Sequence, residues 1–421
     1  MMNKKSQVPE GYRKTEVGIA PEDWSIEKLG SLCELITKGT TPTTLGFSYQ
    51  NTGINFIKIE SISANGNFLP NLFSHISEDA NRALKRSILK ENDLLFSIAG
   101  ALGRVAVVSP DILPANTNQA LAIIRLRRDQ KIDLNYMYFF LKGSQIQKHI
   151  DRINVQSAQA NLSLENINNF KIALPQKEEQ QKIASILSKV DEQIEKTEQV
   201  IEKTELLKKG LMQYFFNPTN MKKWSEVKFK DVIIKLKRGH SLSTNSDGRG
   251  VIYLTSGYLK DDFIDWSQKK YLDTEKPLDN CLLEVNDLIL NCVNSLERIG
   301  KVALFEGYKE KAVVGFNNFA IKFDVVKVDP KYAKYYCLRP QFQNILKNIS
   351  KPAVQQVSFS GKDLQRLHIQ FPNLEEQQKI ASVLSKVDSH IQDNQNYLTR
   401  LRELKKGLMQ DLLTGKIRVC V

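Results

Sequence analysis

Two long stretches of the chain carry apolar residues at alternating three- and four-residue intervals. The first runs Ile183, Leu187, Val190, Ile194, Ile201, with Thr197 and Thr204 at the remaining positions. The second runs Ile380, Leu384, Val387, Ile391, Asn394, Leu398, Leu401, Leu404, Leu408. That spacing makes a coiled-coil seam, and the positions between are mostly Glu, Lys and Gln, strong helix formers. No proline interrupts either run; Pro175 and Pro372 stand just ahead, where a missing N–H costs nothing. Glu178, Glu179, Glu375 and Glu376 lie in the first turns, where carboxylates are favourable with the helix dipole. The pattern predicts helices from Glu178 to about Phe215 and from Glu375 to about Leu413, each about 55 Å long.

The two helices are copies of one another. Glu178–Asp191 returns 197 residues later as Glu375–Asp388, with Ile186/Val383 the one difference, and Leu207–Gln213 returns unchanged as Leu404–Gln410. Between Glu192 and Leu206 only Ile194/Ile391 coincides. A spacer needs the seam alone, so identical surface residues at both ends point to a second use. Identical surfaces suit two copies of one partner, and the candidate contacts are Gln180, Gln181, Lys182, Lys208 and Lys209 with Gln377, Gln378, Lys379, Lys405 and Lys406. Within the first helix Ile194–Val200 is followed by a near-copy, Ile201–Leu207.

Elsewhere the pattern changes to short apolar runs, such as Ile54–Ile59 and Val105–Val108, broken by Gly and Asn clusters, with a helical patch over Tyr136–Ile150. That reads as α+β domains with short strands. The chain divides into an N-terminal segment (1–20), a first domain (21–174), the first helix (175–216), a second domain (217–371), the second helix (372–416) and a tail (417–421). The domains echo each other weakly. Trp24 precedes Gly39 by the same interval as Trp224 precedes Gly239, and Leu89–Leu94 resembles Leu283–Leu288. The repeat is therefore a domain plus its helix. Short connections favour antiparallel packing of the helices, with the domains related by a pseudo-two-fold axis.

A net charge of +13 points to a polyanionic partner, nucleic acid above all. No apolar run is long enough to cross a membrane, no signal peptide is evident, and five scattered cysteines form no disulfide framework, so a cytoplasmic protein is expected. Catalytic signatures are missing. Ala99–Gly103 lacks the spacing of a nucleotide loop, and Pro110-Asp111 with Asp129-Gln130-Lys131 is too degenerate for a nuclease motif. There is no phosphate-binding G-x-x-x-x-G-K-[ST], no adenine-methyltransferase tetrad and no clustered metal ligands, so the chain is expected to be non-catalytic.

Two divergent domains, each followed by a helix opening Pro-x-x-Glu-Glu-Gln-Gln-Lys-Ile-Ala, resemble the specificity subunit of type I restriction-modification systems. Gly18-x-x-Pro21-Glu22-Asp23-Trp24 and the ending Leu404–Ile417 resemble that family too. The second domain departs from it, lacking the Gly-x-x-Pro motif before Trp224. The resemblance implies two target recognition domains on double-stranded DNA, separated by conserved spacer helices. It also implies two modification (methyltransferase) subunits and restriction (translocase and nuclease) subunits as partners, with S-adenosylmethionine, ATP and Mg²⁺ on those partners and no cofactor on this chain. Two different domains imply an asymmetric, bipartite target with a fixed gap. The alternative is a coiled-coil scaffold whose domains bind proteins; the missing motifs disfavour a self-contained enzyme.

Base edges are read by Arg, Asn, Gln, Ser and Thr, and phosphates by Lys and Arg. On the variable loops the candidates are Lys38, Thr40, Thr41, Arg104, Asn118, Gln156 and Gln159 in the first domain. In the second they are Lys237, Arg238, His240, Ser241, Arg298, Asn317, Gln355 and Gln356.

Overall fold

The two long helices occupy Lys177–Phe215 and Leu374–Leu413. A computed structural model describes residues 8–420 apart from 129–130, 156–160, 240, 261, 268, 273–277, 279–280 and 354. The fold is α+β, and the chain forms two compact units, Met1–Glu198 with Tyr397–Val421, and Gln199–Asn396. The units are not successive segments. Each joins one globular domain to the first part of the helix that follows it and the last part of the other helix.

Both domains are built on the same plan. In the first unit an antiparallel four-stranded sheet runs in the order Cys33–Lys38, Leu121–Leu126, Leu94–Ser97, Val105–Val107. The second unit repeats it as Ile233–Arg238, Asn318–Phe323, Leu288–Asn291, Val302–Leu304. A three-stranded sheet accompanies each: Ser74–Ile76, Ile54–Ile57, Ala115–Thr117 in one, Tyr271–Leu272, Val251–Leu254, Ala312–Val314 in the other. The inner strands of the four-stranded sheets are buried on both faces and are largely apolar, whereas the edge strands Cys33–Lys38 and Ile233–Arg238 carry polar residues and are partly exposed. Along Leu94–Ser97, Leu94 and Phe96 enter the main core and Leu95 a second, smaller one, as strand alternation requires. Leu288, Ile289 and Leu290 divide in the same way.

Each domain closes on the start of its own long helix. Ser25–Lys28 pairs with Lys171–Leu174, and Ser225–Lys228 with His368–Phe371, so the strand before each helix is held by the opening of the domain. The main core of the first unit packs Trp24, Phe96, Tyr136 and Phe170 against Ile183 and Leu187, and against Leu412 and Leu413 from the second helix. In the second unit Phe229, Tyr332, Tyr336 and Phe342 pack with Ile380 and Leu384, and with Phe216 just beyond the first helix.

The predicted seam is buried at Ile183, Leu187, Ile194 and Thr197 on the first helix and at Ile380, Leu384, Leu398 and Leu401 on the second. Leu404 departs from it: the side chain is exposed, as is its copy Leu207. After Leu401 the three-four alternation continues through Lys405 and Leu408, so a lysine rather than a leucine takes the seam position. In the first unit Lys405 pairs with Asp191 and Arg402 with Glu198 (2.7 Å), numbering that rises on one helix as it falls on the other; these segments run antiparallel.

The tail also packs. Gly415 stops the second helix at φ 68°, and a Cβ there would lie 2.5 Å from the Pro21 ring, so only glycine fits. Tyr12 Oη donates to Gly415 O at 2.8 Å. Arg418 then donates to both carboxylate oxygens of Asp23 (2.9 and 2.8 Å) and of Glu179 (2.7 and 2.9 Å). Glu179 is buried and also accepts from Trp24 Nε1 at 3.1 Å. The arginine holds the Asp23 carboxyl below its ordinary range. Among the described residues no helix is long and apolar enough to cross a membrane.

Candidate nucleic-acid interface

The sequence places a glycine immediately after the first strand of each four-stranded sheet, and both serve the same purpose. A Cβ on Gly39 would sit 1.8 Å from Thr117 O, and one on Gly239 would sit 1.9 Å from Val314 O. Each strand end is thereby pressed onto the loop leaving the neighbouring sheet. In the first unit this brings Lys38, Thr40 and Thr41 to the loop of Asn118 and Gln119. Thr41 Oγ1 donates to Gln119 Oε1, Arg86 donates to Thr40 Oγ1 at 2.8 Å, and Gly39 N donates to Asn118 O at 3.1 Å. Lys38 is exposed, and Asn118 is half-buried with its Oδ1 accepting from Ala120 N.

The equivalent cluster in the second unit is Arg238, with Ser241 on the following loop, against Phe316 and Asn317. Arg238 and Ser241 are exposed. The Asn317 carbonyl accepts from Cys292 N and from Asn291 Nδ2, each at 2.9 Å, which ties this loop to the sheet floor. Arg298 is exposed on a turn whose amide donates to Ser295 O at 3.0 Å. Gln355 is an exposed turn residue at φ 57°, and Gln356, also exposed, begins the short strand Gln356–Ser358, the middle strand of a three-stranded sheet. Gln156, Gln159 and His240 lie outside the described residues.

Two of the basic candidates are engaged by the fold instead. Lys237 precedes Arg238 on a strand, so the two point to opposite faces. Its ammonium is buried against Leu282 O (2.8 Å), Glu284 (2.8 Å) and Asp287 (3.2 Å), which removes it from any DNA surface. Its hydrogen bond, with help from Lys322, holds the Glu284 carboxyl down at about 2. Arg104 is half-buried and donates to the carbonyls of Ile59 and Ile62, bracing the turn at Ile59–Ser61. In contrast Arg86, Gln119 and Phe316 stand in the clusters without having been singled out. The 197-residue offset that aligns Gln119 with Phe316 was the available signal.

On the long helices the repeated residues separate into two groups. Gln181, Lys182, Lys209, Gln378, Lys379 and Lys406 are exposed, Lys379 in an ion pair with Glu375 one turn back. Gln180 and Gln377 are not surface residues. Gln180 accepts from Asp133 N (2.9 Å) and donates to the Lys131 and Pro175 carbonyls, each at 2.9 Å. Gln377 does the same with Asp329 N, Lys327 O and Pro372 O. Asp133 and Asp329 in turn cap the helices Leu134–Lys142 and Pro330–Leu338. Both glutamines are thus joints between domain and spacer.

Lys208 and Lys405 also turn inward. Lys405 meets Asp191, and Lys208 meets Asp388 (2.7 Å) and Asp262. Burial opposes the charge on Lys208, but hydrogen bonds to Asp262 and Asp388 outweigh it and raise its pKa. Asp388 is likewise desolvated, yet Lys334, Lys208 and the Tyr335 hydroxyl hold its carboxyl below the usual value. Among the described residues no group of three or more His, Cys, Asp or Glu is placed to hold a metal ion.

The family model for the type I restriction modification DNA specificity domain matches residues 21–206 and 221–403, one match per repeat. A Methanocaldococcus jannaschii chain assigned as the MjaX type I restriction enzyme specificity subunit is 28% identical, over 97% of each chain. The MjaIX specificity subunit of the same organism is 23% identical, over 97% of this chain and 96% of that one. Among solved structures, a chain from work on complex assembly and conformational transition of a type I restriction-modification system superposes with a TM-score of 0.59. It is 17% identical, over 94% of this chain and 99% of that one.

Proposed function

Because the chain belongs to the type I restriction-modification DNA specificity family, whose members are non-catalytic specificity subunits, we propose that each unit reads one half of an asymmetric, bipartite duplex target. The observation that carries this is the pair of clusters at Gly39 and Gly239. One scaffold presents Lys38, Thr40, Thr41, Arg86, Asn118 and Gln119 in the first unit, and Arg238, Ser241, Phe316 and Asn317 in the second. Equal frames with unlike side chains are what two different half-sites require, since sequence is read by side chains on base edges and position by the frame.

The long helices then set the gap between the half-sites. Two modification subunits dock on the repeated exposed residues Gln181, Lys182 and Lys209 and their copies Gln378, Lys379 and Lys406. The restriction subunits join that assembly, and S-adenosylmethionine, ATP and Mg²⁺ act on the partner subunits. Identical surfaces in two places support two copies of one partner.

The test is competition binding with the full chain and its co-purified methyltransferase. Each half-site is scrambled in turn in a duplex carrying the target. Loss of affinity with either half scrambled is expected, and so is loss when the gap is lengthened. Equal affinity for target and random duplex would contradict the reading.

A further inference from the structure

Arg238 differs from every other exposed basic residue of the two clusters in how it is held. Its Nε donates to the Phe316 carbonyl at 3.1 Å, and its guanidinium carbon lies 4.5 Å from the Phe316 ring centre and 5.6 Å from that of Phe319. The loop beneath is itself fixed. Phe316 N donates to Tyr253 Oη at 2.9 Å, Asn318 Nδ2 donates to Leu254 O at 3.0 Å, and a Cβ on Gly315 would lie 2.6 Å from Leu254 O. Gly239 pins the backbone on the other side. The plane of the guanidinium is therefore set before any ligand arrives. Its two Nη groups make no hydrogen bond to the described residues, and the side chain is exposed.

We propose that Arg238 reads a guanine in the half-site of the second unit, an inference that rests on the DNA-reading function above. Guanine alone presents two acceptors, O6 and N7, on one major-groove edge, and they match the terminal fork of an arginine. A phosphate can accept the same fork, but it is served equally by a lysine or a mobile arginine, so an anchored Nε and a stacked plane gain most at a base edge. A pre-set fork forms both bonds while losing little side-chain freedom. The corresponding place in the first unit, ahead of Gly39, holds Lys38, an ammonium with no fork. The guanine requirement set by this anchored fork belongs to the second half-site.

The test selects binders from a random duplex pool with the full chain and its co-purified methyltransferase, as wild type, Arg238→Ala and Arg238→Lys. The wild type enriches a fixed G·C pair at one position of one half-site. Both variants lose that preference by about ten- to a hundredfold and keep the rest of that half and all of the other. The lysine variant keeps the charge, and it decides alone if the alanine variant does not fold. Retention of the G·C pair in both variants would overturn the proposal. A uniform loss of affinity and a salt slope reduced by about one in Arg238→Ala would then identify a phosphate contact. Failure of the wild type to enrich any sequence would instead overturn the DNA-reading function, and this proposal with it.

Discussion

Arg418 closes the chain onto its own beginning, and the cost of losing it falls on Glu179, a buried carboxylate left with Trp24 as its one remaining donor among the described contacts. Arg418→Ala is expected to destabilise the first unit by about 1–2 kcal/mol, below the value for a fully buried pair because the guanidinium is half-exposed. Adding Glu179→Gln removes the stranded charge and should recover part of the loss, a coupling that a double-mutant cycle in urea would measure. Additive effects would show that the pair does not interact. Gln180→Ala and Gln377→Ala should each lower stability by about 1–3 kcal/mol through unpaired backbone groups. Partner affinity, measured at a temperature where the variants stay folded, should be unchanged. Sequence reading placed these glutamines on the surface because repetition marks a residue as constrained without saying by what. Sequence reading also places Lys237 on the DNA surface with Arg238, both as loop residues; they lie on a strand, where alternation puts one of two neighbours inside, and the contacts show that it is Lys237.

The long helices were the most legible elements, since a seven-residue period over ten turns leaves little room for another structure. What periodicity missed was the polar seam position. Lys405, not the expected Leu404, takes the seam position after Leu401, and Lys208 extends the first seam past Thr204; each finds an aspartate on the facing helix, a device that fixes register at some cost in stability. The titration of the Lys208–Asp388 pair gives its signature. Asp388 has a folded pKa below 3.8, so its contribution is present above that value and is lost as pH falls through the lower, folded one. Lys208 has a folded pKa above 10.5, so its contribution is present below that value and is lost as pH rises through the higher one. Asp388→Asn should therefore cost about 2 kcal/mol at neutral pH. The gap from wild type should narrow below pH 3.8 in acid unfolding titrations. A gap independent of pH would show that packing, not charge, is lost.

The tandem in the first helix gives a second test at this scale. Deleting Ile194–Val200 brings Ile201, Thr204 and Glu205 into the places of Ile194, Thr197 and Glu198, so the seam survives. It shortens the interval between Asp191 and Lys208, while the matching interval between Asp388 and Lys405 is unchanged. A paired deletion in the second helix is expected to restore stability lost by the single one. The shortening is about 10 Å, equivalent to up to roughly three base pairs of DNA. Methylated sites in cells carrying the paired deletion should keep both half-site sequences around a shorter gap; an active variant with the gap unchanged would remove the helices as the ruler.

At the scale of the whole molecule, the internal repeat was readable because helix ends recur residue for residue, while the domains recur only as a frame. Their equivalence emerges from matching sheets and from two glycines pressed on matching carbonyls, information that sequence identity between the domains had mostly lost. The compact units were less legible, because each takes its helical segments from two distant stretches of the chain. The +13 charge predicts steep salt dependence: if several phosphates are neutralised, log affinity should fall linearly with log salt, with a slope near the number of contacts. Affinity that is flat between low and physiological salt would speak against a nucleic-acid surface. The most direct measurement of the central claim is a genome-wide map of DNA methylation in cells carrying this chain with the proposed modification subunits. Two unlike short sequences separated by a fixed, unread gap are predicted, with substitutions in the Gly239 cluster changing one of them alone. A palindromic or contiguous methylated sequence, or one changed in both halves by those substitutions, would contradict it.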